Sequence, residues 1–400
     1  MRVLDYLTRV LPKALPYALF RAGYWPGPLP GPLTLTFSVT AACQSRCRTC
    51  HIGARFADQP ALVQENLDLP TIRRAFASLG PVYFFNISGG EPFMRDDLDQ
   101  IVRLACIHLR PRLIHIPTNA IGPARIERIT RRILAEMARH APAGAVLTIK
   151  PSVDGVGERH DDIRGYPGNF ADLEETLRRL RLVQADDPRL TVDLGTVVSV
   201  WNRDHLAEVE AWVHAQGIQS YRHEIAEERY EFANRGEAIA PAVDVYLGLL
   251  REFQRGIVAH IGHKALLTRV TEAVRLVYYD AAWRILTERR QVTPCLGGIS
   301  NIHLNYDGTV WTCCVLGGDN AMGHLRDHDG DLRALLQGDS ARRARAFVAG
   351  GGCACPLANQ WLNNILLSPR WMWRVVGRLV PLLLARRDGT TSAAPGSAGR

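Results

Sequence analysis

The 400-residue sequence predicts an α/β protein in which a partial (β/α)6 barrel is followed by a small cysteine-rich domain. The first observation is an alternation of strand-like apolar runs and amphipathic helix patterns between residues 33 and 225. The second is that polar motifs follow four of these strands, at the edge where parallel barrels carry their active sites. The third is a change of composition after residue 290, where glycines and cysteines become frequent.

Six strands and five helices are expected to alternate along the barrel. The expected strands are residues 33–39, 82–87, 113–116, 146–149, 190–200 and 218–225. The expected helices are residues 70–79, 96–109, 123–140, 171–184 and 204–216. Units of this kind build a parallel sheet, and a curved, TIM-like sheet is its natural closure.

Composition and charge restrict the function classes. Hydrophobic residues make up 47% of the chain and charged residues 22%, which is typical of a globular protein. The net charge of +8 is spread over the predicted helices, and no RNA-binding signature is present, so no nucleic-acid partner is predicted. Nine cysteines lie in clusters in a long chain, which indicates metal binding in a reducing compartment rather than a disulfide scaffold.

The termini predict helices that are not part of the barrel. Apolar residues at helical spacing in residues 1–24 predict a helix that lies either on a membrane surface or on its own barrel, followed by a Pro/Gly-rich linker up to residue 32. Beyond a barrel at 33–226, we expect a helical bridge at 227–290, the cysteine-rich domain at 291–357, a docking or interfacial helix at 358–387 and a disordered tail at 388–400. No run of 18 uninterrupted apolar residues occurs, so no membrane-spanning helix is predicted. The expected location is cytoplasmic, with peripheral attachment to the inner face of the membrane as an alternative.

Three thiols follow the first predicted strand. Cys43, Cys47 and Cys50 are spaced C-x3-C-x2-C on a short loop, so they can bind one metal centre. Three protein ligands leave one iron of a 4Fe-4S cluster open for chemistry. Zinc with His51 as a fourth ligand is the alternative, although His51 adjoins Cys50 and would be strained as a co-ligand. A non-catalytic zinc or iron–sulfur scaffold is the corresponding alternative to an enzyme.

This spacing and three further motifs, in the same order, resemble the radical SAM superfamily over residues 33–225. The matching stretches are Ser88-Gly89-Gly90-Glu91-Pro92, similar to the Gly-Gly-Glu motif; Thr118-Asn119-Ala120, similar to Thr-Asn-Gly; and Ser152-Val153-Asp154-Gly155, similar to Ser-x-Asp-Gly. Residues 160–165 are similar to a stretch common in members with a second cluster. Departures are Ala120 for the usual glycine, Thr49 for an aromatic residue and Gln44 for asparagine.

The resemblance implies a cofactor set and a reaction. In that family a reduced cluster donates an electron to S-adenosylmethionine, and the 5′-deoxyadenosyl radical that forms abstracts hydrogen from the substrate. An electron donor such as flavodoxin or ferredoxin is implied, and the substrate is expected to be a peptide or small molecule, or alternatively a lipid. No catalytic residue is predicted, and Tyr221-Arg222-His223-Glu224 is a candidate for substrate contacts. The implied contacts to S-adenosylmethionine are Thr49, Gly89, Gly90, Glu91, Asn119, Ser152 and Asp154.

The C-terminal cysteines resemble the SPASM or twitch domains of that family. The resemblance implies an auxiliary 4Fe-4S cluster, and the five cysteines outside the first loop and Cys106 are too few for two fully cysteine-ligated clusters. Cys314 competes with its neighbour Cys313, and Cys106 is expected to be a small buried core residue. The preferred ligands are Cys295, Cys313, Cys353 and Cys355.

Overall fold

The computed structural model describes residues 3–384. Its strands are β1 Thr34–Ser38, β2 Phe84–Ser88, β3 Leu113–Thr118, β4 Val146–Pro151, β5 Leu190–Val192, β6 Leu194–Val198, β7 Tyr221–Ile225, β8 Asn301–Leu304, β9 Thr309–Trp311 and β10 Ala321–His324. Its helices are α1 Val3–Asp5, α2 Ala14–Arg21, α3 Ile52–Asp58, α4 Leu69–Leu79, α5 Leu98–Leu104, α6 Pro123–His140, α7 Glu158–Arg164, α8 Asn169–Asp186, α9 Leu206–Ala215, α10 Val243–Ala259, α11 Leu266–Glu288, α12 Leu332–Leu335, α13 Asp339–Ala349, α14 Ala358–Leu366 and α15 Pro369–Leu384. Single π and 3-10 turns at Tyr6–Val10, Leu11–Lys13 and Ala105–Leu109 join α1 to α2 and extend α5.

The predicted α/β fold is confirmed, with a parallel sheet that forms a partial barrel. Eight strands run in the order β10-β9-β8-β1-β2-β3-β4-β5, and β6 and β7 form a second parallel pair. Only Asp193 separates β5 from β6, and a bridge between Ser152 and Gly195 joins β6 to the end of β4. The expected single strand at 190–200 is therefore interrupted at Asp193.

The sheet also continues on the other side of β1, which the sequence analysis did not predict. β8 lies parallel to β1, with Thr36 opposite His303, and β9 and β10 extend the sheet in antiparallel directions. The cysteine-rich C-terminal segment thus begins as a direct extension of the barrel sheet. This places residues 301–311 beside the loop that follows β1.

The barrel strands bury both faces, but the two faces differ in chemistry. Leu35 and Phe37 point toward the helices, where Phe76 makes edge-to-face contacts with Phe37 and Phe85. Alternate residues point to the other face, because successive side chains of a strand project to opposite sides. There Thr36 accepts a hydrogen bond from Asn86, whose side-chain oxygen lies 2.8 Å from Nδ1 of His115. The interior of the barrel is accordingly polar.

The connecting helices begin and end where local signals place them. Helix α4 starts after Asp68, whose side chain accepts a hydrogen bond from the backbone N–H of Thr71 at 2.9 Å, and Pro70 occupies its first turn. It ends at Gly80, which adopts a φ of 77° that an L-residue rarely tolerates. The expected bridge at 227–290 contains two helices, α10 and α11, and begins with a non-helical segment between β7 and α10.

Each terminal helical segment packs on the protein with one stripe and exposes another. The N-terminal segment buries Val10 and Tyr17, and α15 buries Trp371 and Val375. The exposed apolar residues are Leu4, Leu7, Leu11 and Leu15 near the N-terminus and Trp373, Val376, Val380, Leu383 and Leu384 on α15. Among residues 3–384, no helix combines the length and apolar character needed to cross a bilayer. The expected tail at 388–400 and residues 385–387 of the expected docking helix lie outside the described residues.

Candidate cofactor and active site

The cysteine loop is held against the end of β2 by backbone contacts. Gly90 N–H donates to the Thr40 carbonyl at 2.9 Å, and Glu91 N–H donates to the Ala42 carbonyl at 2.7 Å. A Cβ atom at Gly90 would lie 2.1 Å from the Ala42 carbonyl oxygen, so no larger residue fits without moving the loop. Gly89 has a φ of 110°, a conformation that also requires glycine. The two glycines therefore fix the position of the cysteine loop.

The three thiols of this loop lie near one another, and each of the three cysteines is half-buried. Burial raises the pKa of Cys43, Cys47 and Cys50, and the pKa of Cys43 reaches about 12. Charge on Cys47 further raises the pKa of both other thiols, which shows their proximity. Since metal ligation requires thiolates, a bound metal centre would have to supply the charge that stabilises them.

Glu91 connects the ends of β2 and β3. Its carboxylate accepts hydrogen bonds from the backbone N–H of Asn119 at 2.7 Å, the Thr118 hydroxyl at 3.0 Å and the backbone N–H of Phe93 at 3.1 Å. Burial raises its pKa to about 7, although these three donors oppose the shift. Both carboxylate oxygens are thus engaged within the protein, so Glu91 orients the two strand ends.

Asn119 reaches back to the cysteine loop. Its side-chain nitrogen lies 2.9 Å from the Ser45 hydroxyl and 3.9 Å from the Cys43 sulfur. The next residue, Ala120, has a φ of 68°, the left-handed conformation that the usual glycine would adopt without strain. The departure at Ala120 therefore preserves the backbone path, and the Thr118 hydroxyl accepts a hydrogen bond from its N–H at 3.1 Å.

A buried ion pair of Asp154 and Arg164 lies behind the thiols. Arg164 donates to Asp154 at 3.1 Å, and the other carboxylate oxygen of Asp154 accepts from Val197 N–H at 2.9 Å. The Arg164 guanidinium partly offsets the burial-induced rise in the pKa of Cys47, and its buried Nε atom has no partner. Sequence reasoning assigned Arg164 no role, although its position in the stretch at 160–165 was a usable signal.

The remaining predicted residues lie at the same rim. The Thr49 carbonyl accepts a hydrogen bond from the Asn234 side chain at 2.8 Å, and Ser152 N–H, at the end of β4, donates to the Thr118 carbonyl at 3.0 Å. His51 pairs instead with Glu237, at 2.6 Å. This contact engages Nε2 of the imidazole that the zinc alternative requires as a fourth ligand.

A match to a known protein family covers this part of the chain. Residues 37–213 match the sequence model of the radical SAM superfamily. This part of the chain is a radical SAM domain. No curated protein matches the chain.

Solved structures with the same fold extend over most of the chain. anSMEcpe, solved with bound AdoMet and Cp18Cys peptide, is 13% identical with a TM-score of 0.56, over 87% of this chain and 98% of that one. SuiB of Streptococcus suis, bound to S-adenosylmethionine, is 15% identical with a TM-score of 0.53, over 79% of this chain and 68% of that one. SuiB bound to its precursor peptide SuiA is 14% identical with a TM-score of 0.51, over 82% and 68% of the two chains. At these identities the likeness shows the fold alone.

A cavity of about 140 Å³ opens above the radical SAM domain's cysteine loop. Its floor contains Ser38, Thr40, Gly89 and Gly90, at the ends of β1 and β2. Its walls come from segments far away in sequence, through Tyr230, Glu231, Tyr306 and Trp311. None of these four residues was predicted to line a cavity, because only the tertiary structure brings their segments beside β1 and β2.

Four C-terminal cysteines converge at a second place. Burial raises the pKa of Cys295 to about 12 and that of Cys313 to about 11, and neighbouring thiols raise both further. Cys355 is likewise affected by Cys313 and Cys295, and Cys353 affects the pKa of Cys295 and Cys313. Gly297 N–H points at the Cys295 sulfur at 3.4 Å, a donor suited to a thiolate ligand. Cys295, Cys353 and Cys355 line one small cavity, and Cys355 packs against the hydrophobic cluster that contains Cys313. The four preferred ligands therefore lie in one region, and their role as cluster ligands stays a prediction.

Cys314 has a second set of neighbours. It packs in one hydrophobic cluster with Cys313 and Leu357, and its sulfur also lies within 4.8 Å of ligand atoms of Glu231 and His303. The competition between Cys313 and Cys314 for a cluster stays a prediction.

Proposed function

We propose that the chain is a radical SAM enzyme, with Cys43, Cys47 and Cys50 holding a 4Fe-4S cluster that binds S-adenosylmethionine. When bound, these groups supply the reductive C–S cleavage that yields a 5′-deoxyadenosyl radical. The observation that carries the proposal is the convergence of three half-buried cysteines with the buried Arg164 guanidinium, whose Nε has no partner among the described residues, at the carboxyl ends of the barrel strands. The arrangement fits a negatively charged cluster and a zwitterionic cofactor.

The chain's own residues would position the cofactor and exclude water. Gly89 and Gly90 let the backbone of the cysteine loop come close to the end of β2, and we propose that they also contact the cofactor. The further proposed cofactor contacts on the same rim are Thr49, Asn119, Ser152 and Asp154. Glu91 holds the rim in place through its hydrogen bond to Asn119. The free Nε of Arg164 offers a donor to an anionic group. Walls from the loop after β7 and the β8–β9 hairpin cover the cavity, which protects a reactive intermediate from solvent.

We propose that Cys295, Cys313, Cys353 and Cys355 hold one auxiliary 4Fe-4S cluster. Such a cluster supplies either an electron acceptor for an oxidised substrate or an anchor for it. Reduction of the first cluster requires an electron donor of the flavodoxin or ferredoxin class. The expected measurement is about eight irons per chain after anaerobic reconstitution, and about four in a Cys313→Ala variant.

We propose a peptide as the substrate. The cavity combines aromatic side chains, Tyr230, Tyr306 and Trp311, with the charged side chains of Arg55 and Glu231, a mixture suited to a peptide segment. Relatives in fold bind peptides, namely Cp18Cys in anSMEcpe and SuiA in SuiB. The test offers deuterated peptide pools and deuterated lipid pools separately and follows deuterium into 5′-deoxyadenosine by mass spectrometry. Transfer from the lipid pool alone would contradict the peptide proposal.

The second candidate is a lipid or membrane-associated substrate, favoured by the exposed apolar stripes of the terminal helices. Leu7 and Leu15 are 51% and 66% exposed, and Trp373 is 76% exposed. Flotation with anionic liposomes tests this candidate by comparing the wild type with Leu7→Glu/Leu15→Glu and with Trp373→Glu. The matched control is Leu182→Glu on α8, where the leucine is 52% exposed. Loss of flotation in the terminal variants only would support membrane binding, and no flotation of the wild type would exclude it.

A further inference from the structure

Three buried side chains from distant segments meet beside the cavity. Glu231 lies in the loop after β7, His303 on β8 and Cys314 after β9. Their ligand atoms all lie within 4.8 Å of one another, and they are the one such group of three His, Cys, Asp or Glu residues in the part of the chain that the structure describes. The side chains of His303 and Glu231 are 2% and 5% exposed, and Cys314 is 8% exposed.

The geometry of this group suits a single ion. Nε2 of His303 lies 3.6 Å from Oε1 of Glu231. Bonds of about 2.1 Å to nitrogen and oxygen allow two ligands of one ion to be at most about 4.2 Å apart, so the observed separation satisfies that limit. The hydroxyl of Ser38 lies 2.6 Å from Oε1 of Glu231 and 2.8 Å from Nε2 of His303, so an ion bound by these two atoms would replace both contacts.

The chemistry of the donors restricts the ion. A thiolate, an imidazole and a carboxylate form a mixed sulfur, nitrogen and oxygen set, whereas calcium and magnesium prefer oxygen alone. The two anionic donors balance the charge of a divalent ion. The nearby cation, Arg229, is paired with Glu227 at 2.8 Å. Burial raises the pKa of the Cys314 thiol, and the charge of Arg229 opposes that rise, which favours the thiolate.

We propose that Glu231, His303 and Cys314 bind one divalent ion of the zinc class, with its fourth coordination position toward the cavity. Glu231 itself lines that cavity. Three protein ligands and an open position are the pattern of zinc sites that bind a substrate, whereas structural zinc sites have four protein ligands. The open position would accept a thiolate, carboxylate or carbonyl oxygen of the substrate. The proposal that the ion binds does not depend on the proposed function, whereas its role in holding a substrate rests on that function.

The site is distinct from both proposed iron–sulfur sites. Cys314 packs in one hydrophobic cluster with Cys313, but its thiol is within 4.8 Å of ligand atoms of Glu231 and His303, and neither of these two residues is a proposed cluster ligand. His303 comes from the barrel sheet itself, opposite Thr36 of β1. Zinc binding and iron loading can therefore be measured separately in one sample.

The test uses the full chain with its clusters reconstituted, incubated anaerobically with equimolar zinc and then desalted. We expect about one zinc per chain, and zinc-edge X-ray absorption should show one sulfur at about 2.3 Å with nitrogen and oxygen neighbours at about 2.0–2.1 Å. Cys314→Ala and His303→Gln should each weaken zinc binding at least about tenfold. Cys106→Ala, which removes a buried thiol outside both clusters, should keep the zinc.

Several results would overturn the site. His303→Gln or Cys314→Ala retaining wild-type zinc affinity would do so, as would a zinc environment of four sulfurs or of nitrogen and oxygen alone. The iron content of each sample reports cluster loading, so general damage by Cys314→Ala is visible, and His303→Gln then decides the question. If the wild-type chain bound zinc but did not cleave S-adenosylmethionine, the result would contradict the proposed function and leave the zinc site standing.

Discussion

Replacing Gly90 with alanine tests the packing of the cysteine loop against the end of β2. The new Cβ would lie 2.1 Å from the Ala42 carbonyl oxygen and 3.1 Å from Cβ of Cys43, and carbon contacts under 3.0 Å essentially do not occur. The loop must therefore move by about 0.9 Å. Overpacking of this kind costs roughly 1–3 kcal/mol, and weakening the two adjacent backbone hydrogen bonds adds about 1 kcal/mol each. We expect a total loss of about 3–5 kcal/mol in the free energy of unfolding.

Urea unfolding and iron content measure this effect together. The displaced loop should also hold less than the full complement of iron on Cys43, Cys47 and Cys50, since their relative positions depend on it. The control is Gly248→Ala on α10, where a Cβ meets nothing within 4 Å and helix propensity predicts a gain of up to about 1 kcal/mol. If Gly90→Ala matched this control in stability and iron content, the reasoning about the loop would be wrong.

Three further predictions concern the same rim. Arg164→Met should lower the free energy of unfolding in urea by about 3–5 kcal/mol, because it leaves the Asp154 carboxylate buried without its cation. The double variant with Asp154→Asn should lose less stability than the sum of the two single variants. Burial, then the charge of Arg164, lowers the pKa of His160 from 6.5 to about 4, so the unfolded state binds a proton that the folded state does not. Lowering the pH from 7.5 to 5.5 should therefore change the stability of the wild type by about 1.3 kcal/mol more in the destabilising direction than that of His160→Gln, and the comparison cancels the opposite contribution of Glu91, whose pKa is raised to about 7. Ala120→Val should destabilise by about 2 kcal/mol or more in the same assay, because a β-branched residue is strained at a φ of 68°; an unchanged free energy would contradict that strain.

The barrel was predictable because its signals are local. Strand β1 reads as an alternation of apolar and polar residues, and helix α6 occupies Pro123–His140, as expected from its apolar period. Asp193 interrupted the expected long strand, and its backbone N–H still donates to the Ile149 carbonyl at 3.1 Å. The pairing of β8 with β1 was not predictable, because it joins residues such as Thr36 and His303 that no local pattern links.

The residues of the candidate site also fall into those that local sequence predicts and those that only the tertiary structure reveals. The three cysteines of the first loop and the motif around Gly90 are close in sequence, so their spacing carried the prediction. Glu231 lies on an irregular loop between β7 and α10, and only the tertiary structure brings it beside Ser38. Arg164 was left without a role because charged residues are mostly solvent-exposed, whereas its side chain is only 12% exposed. The specific cofactor contacts and the domain boundaries stay predictions.

Reductive cleavage of S-adenosylmethionine is the most direct test of the central claim. The anaerobically reconstituted chain, reduced with dithionite, should turn brown and form 5′-deoxyadenosine and methionine. Cys47→Ala should lose both the cluster of the first loop and the cleavage, while Cys106→Ala, which removes a buried core thiol, should retain both. No cleavage by the wild type, or equal cleavage by Cys47→Ala, would contradict the radical SAM account and favour a non-catalytic scaffold.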